Sequence, residues 1–126
     1  MNKKRREQLS KAIGYLEKAR LALGPALDAA GDNTLDGDVG ALAEFTGARD
    51  SARKILEDCR DEEQEYLDNM PEAMAESEKG EAVQNAIEKM EEVISWLEEM
   101  NPDSDEVADL DSNLEDAIDC INEASA

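Results

Sequence analysis

Carboxylates are the only abundant reactive groups in this chain, with 33 Asp and Glu against 13 Lys and Arg and no histidine. Without imidazole there is no His general base, no Ser-His-Asp or Cys-His nucleophile, and no His-ligated zinc or iron. What carboxylates do unaided is hold a hard cation, move a proton or meet a cationic partner. The two cysteines, Cys59 and Cys120, fall on or beside helical apolar lines and read as small hydrophobes.

Two segments have spacing that suggests metal chemistry. Asp32-Asn33-Thr34-Leu35-Asp36-Gly37-Asp38-Val39 begins like an EF-hand loop, with oxygen donors at positions one, three and five and glycine at six. Position twelve is Ala43, and Glu44 comes one residue late, so the bidentate ligand is lost and a polar linker is expected. Asp61-Glu62-Glu63-Gln64-Glu65 with Glu106-Val107-Ala108-Asp109 loosely resembles the carboxylate motif by which all-α nucleotide pyrophosphohydrolases hold Mg²⁺. That chemistry needs both halves to converge inside a bundle, and only Glu63 lies on an apolar line. No metal, cofactor or catalytic residue is therefore expected; a Mg-dependent nucleotide hydrolase is an alternative.

The elements that must position these groups are helices. Leu9, Ile13, Leu16 and Leu23 recur at helical steps, with a stop expected at Gly24-Pro25. A second stripe, from near Gly40, runs through Leu42, Phe45, Ala52, Leu56, Cys59, Tyr66 and Met70. The third places Val83, Ile87, Met90, Ile94 and Leu97 on one face before Asn101-Pro102, and the fourth carries Val107, Leu110, Leu114, Ala117, Ile118 and Ile121 behind Ser104 as N-cap. The last two look alike at a shift of 24 residues, which places Trp96 and Cys120 in corresponding positions. Trp96 is expected to pack under a neighbouring helix. The pattern predicts a single all-α domain over 1–126, a bundle of about four helices. It has a basic flexible end at 1–6, a loop or insertion at 24–39, and an acidic antiparallel hairpin at 81–123. With few rings in the core, a homodimer would supply further burial.

Charge is distributed unevenly. Residues 1–27 hold seven Lys/Arg and two Glu, whereas 61–126 hold only Lys79 and Lys89 against 23 acidic residues. Acidity of this kind opposes direct contact with nucleic acid or anionic membrane. From Glu81 to Glu123 there are fifteen acidic side chains and one lysine. On a hairpin about 30 Å long this gives one net charge per roughly 2 Å, close to duplex DNA's one per about 1.7 Å. Several of these charges stand four apart and repel: Asp105/Asp109, Asp111/Glu115, Glu115/Asp119 and Asp119/Glu123. The expected partner-binding face comprises Glu88, Glu91, Glu92, Glu98, Glu99, Asp109, Asp111, Glu115, Asp116 and Asp119.

Residues 60–100 resemble a family of short acidic proteins of bacterial phages and prophages. The carrying residues are Arg60-Asp61-Glu62-Glu63, Asp68-Asn69-Met70-Pro71-Glu72 and Ser77-Glu78-Lys79-Gly80-Glu81, with Asn2-Lys3-Lys4-Arg5-Arg6 also similar. The resemblance implies a phage-related protein of the bacterial cytoplasm and identifies no functional residue. A cytoplasmic location also fits the lack of an apolar run after the basic start, since Glu7 to Leu23 is interrupted by charges. The function expected is that of a non-catalytic DNA mimic. Its acidic surface would block the basic groove of a host nucleic-acid-binding protein such as a defence nuclease. An oligomeric scaffolding protein is the other alternative.

Overall fold

Leu9, Ala12, Leu16, Ala19 and Leu23 repeat at three- to four-residue steps and are all completely buried, so the first stripe forms one wall of the core. The computed structural model describes residues 1–28 and 34–125. Among the described residues there are five helices and no strand: α1 (Lys3–Asp28), α2 (Val39–Asp68), the single turn α3 (Glu72–Ala75), α4 (Glu78–Glu99) and α5 (Val107–Ala124). The protein is an all-α bundle.

The four long helices form a ring in which α1 touches α2 and α5, and α4 touches α2 and α5. Contacts fix their directions. Arg5 meets Glu63 while Tyr15, Lys18 and Ala22 share a groove with Glu44 and Ser51, so α1 and α2 run oppositely. Arg49 donates to the Met100 carbonyl at 2.9 Å, and Tyr66 lies beside Lys79 at the other end of α2 and α4. Arg20 pairs with Asp111 and Arg6 with the Ser125 carbonyl. Lys89 reaches Glu123 and Trp96 lines a cavity with Asn113, so α4 and α5 also meet in reverse order. The stripes of all four helices converge on one core, with Phe45, Leu56, Met90, Leu97, Leu110, Leu114 and Ile121 fully enclosed.

Several boundaries differ from the sequence expectation. Helix α1 does not stop at Gly24-Pro25 but continues through Pro25 to Asp28. Buried Ala22 and Leu23 on one side of the proline and core-packed Ala26 on the other hold the turn against proline's preference of about 3 kcal/mol. Both ends of the expected loop at 24–39 are thus helical, as α1 runs to Asp28 and α2 begins at Val39, and its residues 29–33 lie outside the described residues. Nor are residues 1–6 a flexible end throughout: Lys3–Arg6 open α1, and Arg5 is held by Glu63. Ser104 is not the cap of the last helix, whose first turn starts at Val107 behind Glu106. Asp105 instead accepts the Asn101 N–H at 2.9 Å and folds the connection back on itself.

Candidate functional site: the acidic face of α4 and α5

Residues 34–38 serve the fold. Leu35 is buried, Gly37 takes a positive φ of 89° that favours glycine, and the Asp38 carboxylate accepts the Ala41 N–H at 3.1 Å as the N-cap of α2. Thr34 Oγ1 accepts the Asp36 N–H at 3.3 Å. Asp32, the first ligand of the EF-hand-like spacing, lies outside the described residues, as does Asn33 beside it. The second constellation does not assemble. Glu63 is buried at the Arg5 end of the bundle, whereas Glu106 and Asp109 begin α5 at the Arg20 end. Among the described residues no group of three or more Asp, Glu or Cys is placed to hold a metal ion.

The ten carboxylates of the expected face divide among three sides of the α4–α5 pair. A seven-residue step is nearly two helical turns, so residues seven apart share a line. Glu91 and Glu98 form one such line on the α2 side, where Glu98 borders a cavity with Leu42, Thr46 and Arg49. Asp111 and Glu115 face α1. Arg20 Nε donates to Asp111 Oδ1 at 2.8 Å, and its Nη2 lies 3.9 Å from Glu115 Oε2. The Asp111 hydrogen bond raises the Arg20 pKa above its ordinary value.

The other six occupy the outward surface. Glu92 and Glu99 make one line on α4, with Glu88 a turn before Glu92. Asp109 and Asp116 make the facing line on α5, with Asp119 beside it. All six are exposed. Glu99 and Asp116 border the same cavity, so the two lines meet across the seam. Glu92 is close enough to the seam to help burial hold the Cys120 thiol pKa up.

Three residues outside the expected face belong to this surface. Glu123 continues the line of Asp109 and Asp116, a seven-residue spacing that was visible in the sequence. It takes Lys89, the sole lysine of α4 beyond Lys79, in a 2.7 Å ion pair. That pair raises the Lys89 pKa and occupies its charge. Asp105, in the connection, and Trp96, half-buried on α4, line the shared cavity of about 390 Å³ with Glu99, Met100, Asn113 and Asp116. Trp96 thus packs against the core on one side and faces this cavity on the other. Only the relative register of α4 and α5 creates that arrangement.

On the opposite corner of the bundle the charge reverses. Lys4, Lys11 and Lys18 stand seven apart on α1 and are all exposed. The net charge of −20 is therefore carried as a polarised field, strongest on α4 and α5. No helix among the described residues is long and apolar enough to cross a membrane. No protein-family model, no curated protein and no solved structure matches this chain.

Proposed function

We propose that the protein is a non-catalytic binding module whose α4–α5 surface occupies a basic groove made for nucleic acid, as a DNA mimic does. The observation that carries this reading is the pair of carboxylate lines, Glu92–Glu99 and Asp109–Asp116–Glu123, running side by side on adjacent helices. The one lysine between them is already engaged by Glu123. Helices of 22 and 18 residues are about 33 and 27 Å long at 1.5 Å per residue, enough to follow roughly one turn of duplex. Like-charge repulsion along α5 costs stability that interleaved lysines would have avoided. A role for the field accounts for that cost. The phage-family resemblance suggests as partner a host nucleic-acid enzyme of the bacterial cytoplasm.

The test is competitive. A partner captured by the full chain is released by duplex DNA, and its affinity falls steeply between low and high salt. Reversing Glu92, Glu99 and Asp116 together abolishes capture, while reversing Glu98 on the α2 side weakens it only slightly. Binding that duplex DNA does not displace, or that survives the triple reversal, rejects the mimic.

A second reading has its own observation. Leu21 and Val39 are 76% and 80% exposed. A groove of about 500 Å³ between α1 and α2 is floored by Ala22, Gly47 and Ala48 beside Leu21. A scaffold that oligomerises through this side would appear as a stable multimer in light scattering at moderate salt. It would become monomeric in Leu21→Glu.

A further inference from the structure

The cavity at the seam of α4 and α5 has the composition of a site for an organic cation. Trp96, half-buried, lines it together with Glu99, Asp105 and Asp116. Its volume of about 390 Å³ falls within the roughly 300–1,000 Å³ usual for ligand pockets. Among the described residues no Lys or Arg forms an ion pair with any of these three carboxylates. Asp105 spends one oxygen on the Asn101 N–H, which fixes its orientation and leaves the other oxygen to accept. The carboxylates are also too dispersed to coordinate a metal ion. That geometry favours a broad, planar cation over a small hard one.

A guanidinium meets all of these features at once. Its flat face stacks on an indole, and its edge donors bridge carboxylates in paired hydrogen bonds. An ammonium, compact and strongly hydrated, uses the carboxylates but less of the ring. We propose that the Trp96 cavity receives an arginine side chain of the basic partner and is the anchor of the acidic face. This rests on the reading of that face as a partner surface. Pockets within an interface that take an aromatic or arginine anchor are where a few residues supply most of the binding energy. Here Glu99 and Asp116 line the cavity, and Glu92 and Asp109 extend the acidic surface beyond it.

Trp96 is the only tryptophan, so its emission reports the cavity directly in the full chain. Ethylguanidinium is titrated against sodium chloride of matched ionic strength, then a hexa-arginine and a hexa-lysine peptide. The expected result is saturable movement of Trp96 emission by ethylguanidinium at millimolar concentration. Binding weakens at least fivefold in Asp116→Asn and in Glu99→Gln and is unchanged in Glu98→Gln. Hexa-arginine binds at least tenfold more tightly than ethylguanidinium, and hexa-lysine moves the emission less. No saturable change beyond that of salt, or equal loss in Glu98→Gln, overturns the proposal. Equal affinity for ethylguanidinium and hexa-arginine overturns the anchor role, leaving a site for a free small cation. If the emission does not respond while DNA-displaceable partner binding persists, the pocket fails and the acidic-face reading stands. If ethylguanidinium and hexa-arginine bind as expected but no partner is displaced by DNA, the pocket stands and the mimic fails.

Discussion

Arg5 and Glu63, 58 positions apart in the chain, form an ion pair across the α1–α2 seam in which the Glu63 side chain is completely buried and the Arg5 side chain is 12% exposed. Glu63 is the one charged residue among the described residues that the core encloses entirely, and its second oxygen has no hydrogen-bond partner. Tyr66 lies against the guanidinium, its ring centre 5.5 Å from Cζ. Removing one partner of such a pair strands a buried charge at a cost of about 3–5 kcal/mol, whereas replacing both with apolar groups is often neutral. Arg5→Ala is therefore expected to lose about 3 kcal/mol in urea unfolding. The double variant Arg5→Met/Glu63→Leu should return to within about 1 kcal/mol of the parent. A loss below about 1 kcal/mol in Arg5→Ala would mean that Glu63 is satisfied without its partner.

The legible part of this structure is the part carried by period. Each apolar stripe predicted from sequence became a buried helix face except at the end of the second, where Tyr66 is exposed and Met70 lies beyond the last residue of α2. Glu63 was visible as the odd carboxylate on an apolar line. Arg5 was not visible as its partner, since a pairing over 58 residues depends on the register of two helices. Pro25 follows the same logic: Leu23 and Ala26 pack into the core and override the local stop. The cavity at Trp96 needs residues from α4, α5 and their connection in one place, which no single stripe encodes. Cys120, its counterpart 24 residues later, is buried and donates to the Lys89 carbonyl at 3.6 Å. The internal likeness of the two helices thus conceals two different environments.

Gly80 and Gly14 should respond to alanine with opposite signs. Both lie inside helices, where alanine is favoured over glycine by about 1 kcal/mol. A Cβ at Gly14 would meet nothing within 4 Å, so Gly14→Ala should raise stability by up to about 1 kcal/mol. At Gly80 the same atom would overlap the Ala75 backbone, lying 2.6 Å from its Cα. The α3 turn would have to move off α4, and a loss of about 1–3 kcal/mol is expected. Thermal unfolding of the two single variants reads the difference; stabilisation by Gly80→Ala would show that α3 gives way freely.

Alkaline conditions should weaken the fold through Cys59. Burial first, and then the Glu63 and Glu62 carboxylates, push this thiol up to about 12 from an ordinary value of 9.0. Between those values the unfolded chain has released the proton and the folded chain still holds it. Fewer protons bound in the unfolded state make stability fall as pH rises, by roughly 1.4 kcal/mol per unit in that window and not below it. Lys54, Lys89 and Arg20 have pKa values raised mainly by hydrogen bonds to Asp58, Glu123 and Asp111, so their support is present below their unfolded pKa values and lost as pH climbs past the folded ones. The Cys59 contribution comes first. Denaturant midpoints measured between pH 8 and 11 should therefore decline from about pH 9 in the parent, and less steeply in Cys59→Ala. The native thiol should also react slowly with a disulfide reagent at pH 8, since its thiolate is scarce and buried.

Asp119 connects stability to the proposed function. It stands four residues after Glu115 and four before Glu123, two carboxylates that repel it and that already draw Arg20 and Lys89 to themselves. Like charges at this spacing cost about 0.2–0.5 kcal/mol each, and opposite charges return a similar amount. Asp119→Lys exchanges two repulsions for two attractions, so a gain of about 1 kcal/mol is expected at low salt, shrinking as salt screens the pairs. A protein selected for stability alone would have gained by such a lysine. If the acidic face serves a basic partner, the same change should weaken capture of that partner while raising the unfolding midpoint. A variant that is more stable and binds equally well would separate the carboxylate surface from function. One that is more stable and binds several-fold more weakly would show that the repulsion is retained for the field it produces.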